Sequence, residues 1–295
     1  MNLIPDPSRP LPVGRALAAI PESVYEAIDR GEPEWALLER LTAMGEMGVL
    51  AGLALALSDF QLGAGGAGRY WQEAGALLDG LDLKTPADVL AVMQQLMARP
   101  VASRLASLKL ARIEKLLGSG VPALLRSQGL EQLGLQPMIL WHELATGMRQ
   151  KPDDKTIAFA MKVFDLQHRI ATGRYAQFPT SVPIVADLRI ARVSLSSGLL
   201  RPTDGSVQDA MANVTKEGGF DANVVREVWA SVAEHTQGIS LFRVDSLAWQ
   251  VAEPVHRLRQ QDEAAKEAVV QTLRRYHAPD AIAHVMGAEM TAALR

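Results

Sequence analysis

The chain has 295 residues, 48% hydrophobic and 21% charged, with a net charge of -3. That suffices for a sizeable core in one large or two modest domains, and it shows no global polycation that would mark a nucleic-acid partner by charge alone. There is no cysteine, so disulfides, thiolate metal sites, iron–sulfur clusters and cysteine nucleophiles are excluded, and the six histidines (His142, His168, His235, His256, His277, His284) show no metal-ligand spacing, so no metal is expected.

The opening stretch, MNLIPDPSRPLPVG, lacks a basic segment followed by an apolar one and does not read as a secretory signal. Residues 1–20 are rich in proline and are expected to form a flexible N-terminal segment. Helical spacing then covers 34–60 and 67–79. The most apolar run, Met47 to Leu57, has 11 residues against the roughly 20 a membrane span needs, so a soluble, cytoplasmic chain without membrane contact is expected. Thr85 reads as an N-cap followed by Pro86 at the first helical position, opening a helix that runs to Pro100. Helices follow over 101–117 and 137–149. Asp153 reads as the cap of a helix from Asp154 to about Thr172, ended by Gly173. Pro183 precedes a short extended piece, and Asp187 opens the helical stretch DLRIARVSLSSGLL. The remaining helices are expected over 206–216, 221–236, 244–252, 260–276 and 279–293, with irregular connections near 63–68 and 177–183. Alternating β-branched runs are nearly absent, so the chain reads as all-α with ten or more helices and no internal repeat.

Charge is uneven along the chain. Six basic residues lie between Arg99 and Arg126 against the single acid Glu114, and six more lie between Arg149 and Arg174 against Asp153, Asp154 and Asp165. Such tracts fit a local phosphate-binding surface, and they equally fit ordinary solvated helix faces.

Within the second tract, Lys155, Phe159 and Lys162 are spaced i, i+4, i+7 and share one helix face. A lysine becomes a nucleophile when desolvation, a neighbouring cation and a helix N-terminus favour its neutral amine, and Lys151 and Lys162 supply nearby charge. The plain alternative is a solvated first-turn lysine. Asp187 is placed to cap its helix, a role compatible with stabilising a developing cation. Asp245 and Trp249 are i and i+4 on a further helix, pairing a carboxylate acceptor with an indole plane, and Trp71 adds a second indole N–H. Taken singly, each tryptophan reads as a core residue. Together, two aromatic planes, two carboxylates and two lysines are what a pocket for an extruded base would need.

These residues carry a resemblance. The segments DDKTIAFAMKVF, VPIVADLRIARVSLSSGLL and VWASVAEHTQGISLFRVDSLAWQVA, with a weaker ALALSDFQLGAGGAGRYWQE, resemble in order the archaeal GO glycosylase (AGOG) family of the helix-hairpin-helix DNA glycosylase superfamily. The likeness spans about residues 33–253. It implies two packed helical subdomains over 21–253 with the active site in the cleft between them, followed by a helical extension at 254–295. It implies a bifunctional 8-oxoguanine DNA glycosylase and β-lyase of base excision repair, nucleoid-associated and monomeric. Its partner would be double-stranded or single-stranded DNA containing oxidised guanine, with no cofactor. Carried over residue by residue, Lys155 is the Schiff-base lysine and Asp187 the assisting carboxylate. Phe159 and Trp249 sandwich the base, while Lys162, Asp245 and Trp71 contact it. Glu34 stands where the family uses a glutamine to read the base edge. The acidic residues that follow the family's Gly-Lys-Gly loop are missing from GAGGAGRYW, and RQKPDDK lacks the Gly-x-Gly of the wider superfamily. A homologue without lesion chemistry or with altered specificity, and a helical protein-interaction scaffold, stand as the alternatives.

Overall fold

The computed structural model describes residues 2–215 and 219–294; Lys216, the last residue of the predicted 206–216 helix, lies outside them, as do Met1 and Arg295. A strand β1 (Leu3–Pro5) is followed by helices α1 (Pro10–Ala18), α2 (Glu22–Arg30), α3 (Trp35–Ala43), α4 (Glu46–Ser58) and α5 (Gly66–Leu77). Then come α6 (Pro86–Met97), α7 (Ala106–Leu117), α8 (Val121–Leu135), α9 (Pro137–Met148), α10 (Lys155–Thr172) and α11 (Leu188–Ser196). Strand β2 (Leu200–Pro202) precedes α12 (Val207–Asn213), α13 (Ala222–Ala233), α14 (Leu241–Arg257), α15 (Asp262–Arg275) and α16 (Asp280–Met290). No helix among the described residues is long and apolar enough to cross a membrane.

The chain divides into two compact units: Gly31–Phe178, and the termini Met1–Arg30 with Pro179–Arg295. The dividing points therefore fall at 30/31 and 178/179, and 254–295 does not separate from the residues that precede it.

In the central unit, α4 is the hub. Its residues Met47–Ser58 are all buried, and α3, α6, α7, α8 and α10 pack around it. A helix apolar on every side has no choice but the middle of a bundle. Each buried leucine there stabilises the fold by about 1.5–3 kcal/mol, and Leu53→Ala would lose about 2–5 kcal/mol. Glycines let neighbours close in: a Cβ on Gly52 would stand 2.5 Å from Gln167 Oε1 of α10, whose Nε2 donates to Gly48 O at 3.2 Å. The predicted 34–60 helix is two helices, because Gly45 turns the chain at φ +69° between α3 and α4. Thr85 caps α6 through a reciprocal capping box with Asp88.

In the terminal unit, α11, α13, α14, α15 and α16 enclose an apolar core that includes Ile190, Val193, Trp229, Val251, Leu273 and Met286. Residues 2–20, expected to be flexible, instead contribute to this unit. Leu3–Pro5 pairs antiparallel with Leu200–Pro202, and Val13 and Leu17 of α1 are fully buried. Proline misleads here because Pro10 occupies the first turn of α1, where no backbone N–H is needed. Trp229 Nε1 donates to Ser194 Oγ at 2.8 Å, tying α13 to α11.

Candidate active site

In the central unit the α9–α10 hairpin presents Lys155. Arg149 ends α9 in the left-handed region at φ +52°, doing what glycine usually does at such a corner. Trp141 Nε1 donates to Pro152 O at 2.9 Å and pins the turn. The capping residue of α10 is Asp154 rather than Asp153, and its carboxylate accepts from Lys151 N and Gln150 Nε2 within the turn instead of from the helix. The Asp154 side chain thus caps none of the first-turn amides of α10. Lys155 is the first residue of α10 and is exposed; Thr156 beside it accepts from Arg112 Nη2 at 2.6 Å.

The predicted stripe runs from surface to interior. Phe159 is half-buried and Lys162 is 2% exposed. Lys162 Nζ donates to Glu32 Oε1 at 3.3 Å, an ion pair in which both side chains are out of solvent. Two residues on, Glu34 is also 2% exposed, and its Oε1 has no hydrogen-bond partner among the described residues. Burial, and then the charge of Glu32, push the Glu34 carboxyl well above the usual glutamate range, with Lys162 opposing them more weakly. Burial therefore favours the protonated form of Glu34. Its O–H can donate while its carbonyl accepts, the same pair of functions a glutamine amide offers. Trp71 is 1% exposed; its indole N–H is committed to Asp59 Oδ2 at 2.8 Å, and its ring meets Tyr70 edge-on.

In the terminal unit, Asp187 is the N-cap of α11. Its Oδ1 accepts from Arg189 N at 2.8 Å and Ile190 N at 3.0 Å, while Oδ2 takes no hydrogen bond among the described residues. The capping expectation is met with one oxygen to spare. Asp245 and Trp249 lie on α14, a helix of 17 residues rather than the short one predicted. Asp245 is buried and Trp249 is half-buried, with the Arg189 guanidinium 3.7 Å over its ring. Arg189 thus occupies one face of the indole, a cation–π contact that a stacking base would meet or replace.

The structure gathers Lys155, Phe159, Lys162 and Glu34 with Trp71 in one unit, and Asp187, Asp245 and Trp249 in the other. Sequence reading misses Glu32, Asp59 and Arg189, the partners of Lys162, Trp71 and Trp249. The signal for Glu32 was present in GEPE, two acids flanking a proline directly before a helix. Nothing local marks Glu32 as the mate of a lysine 130 residues away. Among the described residues no cluster of His, Asp or Glu is arranged to hold a metal ion.

Residues 14–283 match the family AGOG, N-glycosylase/DNA lyase. The N-glycosylase/DNA lyase of Pyrobaculum aerophilum is 30% identical over 120 residues, 41% of this chain and 41% of that protein. That of Methanopyrus kandleri is 30% identical over 107 residues, 36% of this chain and 34% of that protein. These alignments thus span less than half the length of either relative. Among solved structures, the 8-oxoguanosine complex of the 8-oxoguanine DNA glycosylase from Pyrobaculum aerophilum superposes with a TM-score of 0.66 at 19% identity. It covers 95% of this chain and 97% of that one, a likeness of fold. With nearly the whole chain matched, this protein belongs to the AGOG family of N-glycosylase/DNA lyases.

Proposed function

We propose that the protein is a bifunctional DNA glycosylase and β-lyase that excises 8-oxoguanine in base excision repair, acting as a monomer on chromosomal DNA and needing no cofactor. What supports this reading is the match of residues 14–283 to the N-glycosylase/DNA lyase family; Lys155 at the first turn of α10 is accessible to a substrate, although its exposure does not supply the desolvation expected of it from the sequence. The solved structural relative is itself described as an 8-oxoguanine DNA glycosylase.

The reaction follows from the residues. DNA phosphates are held by basic side chains and by backbone amides such as those at the start of α10. The damaged nucleotide leaves the base stack, an extrusion that costs a few kcal/mol. The Lys155 amine attacks C1′ while the bond from C1′ to the base nitrogen breaks, and the base departs with a proton. Positive charge develops on the sugar in that step. Asp187, oriented by two backbone amides through Oδ1, offers Oδ2 to stabilise it. The sugar ring opens to an imine between Lys155 and C1′. That cation acidifies the C2′ hydrogen, whose loss expels the 3′ phosphate and nicks the strand.

Base recognition is assigned to Phe159 and Trp249 as stacking planes and to Lys162, Asp245 and Glu34 as polar contacts; the expected polar contact from Trp71 is dropped, because its buried indole N–H is already held by Asp59 Oδ2. Glu34 stands in place of the family glutamine, and burial favours the protonated form in which its carboxyl can still donate. That substitution also supports a second reading, a shifted preference among oxidised purines. Duplexes carrying single lesions test both. Cleavage at 8-oxoguanine without added base is the result expected. Cleavage only at another lesion selects the second reading, and no cleavage of any duplex overturns both.

A further inference from the structure

The joint between α4 and α10 contains a pair of bonds that the reaction above leaves unused. Helix α4 ends at Ser58, so the Leu57 carbonyl lies in its last turn, where no backbone amide further along the helix can reach it. Arg112 of α7 takes that carbonyl: its Nε donates to Leu57 O at 3.2 Å, while Nη2 of the same guanidinium donates to Thr156 Oγ1 at 2.6 Å. Thr156 is the second residue of α10 and follows Lys155 directly. One planar fork therefore ties the end of the hub helix to the turn that carries the lysine.

The surroundings hold that fork in place. The guanidinium carbon of Arg112 lies 5.5 Å from the Phe60 ring centre, and the ammonium of Lys109, a fully buried residue of α7, lies 5.3 Å from the same ring. Lys109 Nζ in turn donates to Ala102 O at 3.1 Å. Burial opposes the Arg112 charge, and the Asp154 carboxylate favours it. The Asp154 side chain caps no amide of α10, so the bond from Arg112 to Thr156 is what a side chain contributes to that first turn. A lysine at position 112 could not do the same. Two separate acceptors on two helices suit a rigid guanidinium, not an ammonium on a flexible stem.

We propose that Arg112 is a positioning residue for imine formation: through Thr156 it fixes the first turn of α10 against α4, and so fixes the place from which the Lys155 amine reaches C1′. This inference rests on the proposed function. Lys155 is exposed, so the backbone beneath it decides where its long side chain starts. Misplacing a reacting group by about 1 Å can cost about 100-fold in rate. Water is the competitor. When water attacks C1′ instead of the amine, the bond to the base nitrogen still breaks and the base still leaves with a proton, but the sugar is left abasic with no bond to the protein. A loosened first turn therefore slows the reaction and also diverts it from imine to free abasic site.

The test is a single turnover on a duplex containing 8-oxoguanine, with released base and borohydride-trapped adduct measured in the same sample. Thr156→Val removes the acceptor and keeps the shape of the side chain, so the variant is expected to stay folded, as a melt will verify. Its base release should slow about tenfold, and its adduct per released base should fall about threefold or more, while affinity for undamaged duplex stays within about twofold. Arg112→Lys, which keeps the charge and loses the fork, should change both readouts in the same direction. Thr156→Ser, which returns the acceptor, should recover both. A wild-type yield of adduct per released base in Thr156→Val overturns the inference, as does a loss confined to melting temperature or to duplex affinity. Wild-type protein that releases no base and forms no adduct overturns the proposed function, and the inference with it.

Discussion

The buried pair of Lys162 and Glu32 offers a direct measure of how the base-reading corner is held together. At 3.3 Å, with side chains 2% and 3% exposed, the pair gains roughly 5 kcal/mol of Coulomb attraction at an effective dielectric of about 20, against a desolvation penalty of several kcal/mol. The net value of the pair is therefore small, but its disruption is not. Lys162→Met leaves the Glu32 carboxylate inside without its cation and beside Glu34, and the loss should be about 3–5 kcal/mol. For a unit of this size that lowers the melting temperature by roughly 6–20 °C, taking about 2–4 °C per kcal/mol. Adding Glu32→Leu removes the stranded charge and should recover most of the loss. Calorimetric melts of the wild type, both single variants and the double variant close the cycle. A Lys162→Met protein within about 1 kcal/mol of wild type, with no coupling to Glu32, would refute the buried ion pair.

The neighbouring acid has its own signature. Because the folded-state affinity of Glu34 for its proton is raised, its contribution to stability is complete below the ordinary glutamate range and is lost as pH rises towards the raised value. Glu34→Gln should therefore stabilise the protein at pH 8 more than at pH 5, and cleavage should persist in the variant while any alkaline decline due to this proton disappears. Equal melting shifts at both pH values would show that Glu34 is ionised. Asp187→Asn keeps a good capping side chain and should fold normally yet turn over far more slowly, whereas Asp187→Ala should also lose about 0.5–2 kcal/mol. Wild-type turnover in the Asn variant would reduce Asp187 to a cap. If a base displaces the guanidinium from the Trp249 ring, Arg189→Ala should bind lesion-bearing DNA at least as tightly as undamaged-DNA losses allow, while Trp249→Ala should weaken lesion binding more than undamaged-DNA binding. Titrations of both variants on matched duplexes decide this, and equal losses on both duplexes in Trp249→Ala would remove the indole from base stacking.

What was legible in the sequence was local. Thr85 followed by Pro86, Gly173 after the α10 pattern, and Asp187 before α11 are caps whose chemistry lies within four residues of the bond they make, and the structure has each of them. What escaped needed distance or context. The break at Gly45 hides inside an apolar run that offers no periodicity to interrupt. Helix α8 hides behind Gly129, whose φ of +71° kinks it midway. Strands of three residues at 3–5 and 200–202 are too short to alternate visibly, and each forms only because the other is there. At the site, the stripe of Lys155, Phe159 and Lys162 was visible, but the descent from exposed to buried along it was not. Nor was the upward push on the Glu34 carboxyl, which comes from burial and from Glu32.

The central claim is that Lys155 forms a covalent bond to the sugar. Borohydride added during turnover of a duplex containing 8-oxoguanine should reduce the imine, giving a protein–DNA adduct that tandem mass spectrometry maps to Lys155, and Lys155→Gln should give none while melting as the wild type does. An adduct on any other residue, or one that survives in Lys155→Gln, would contradict the account.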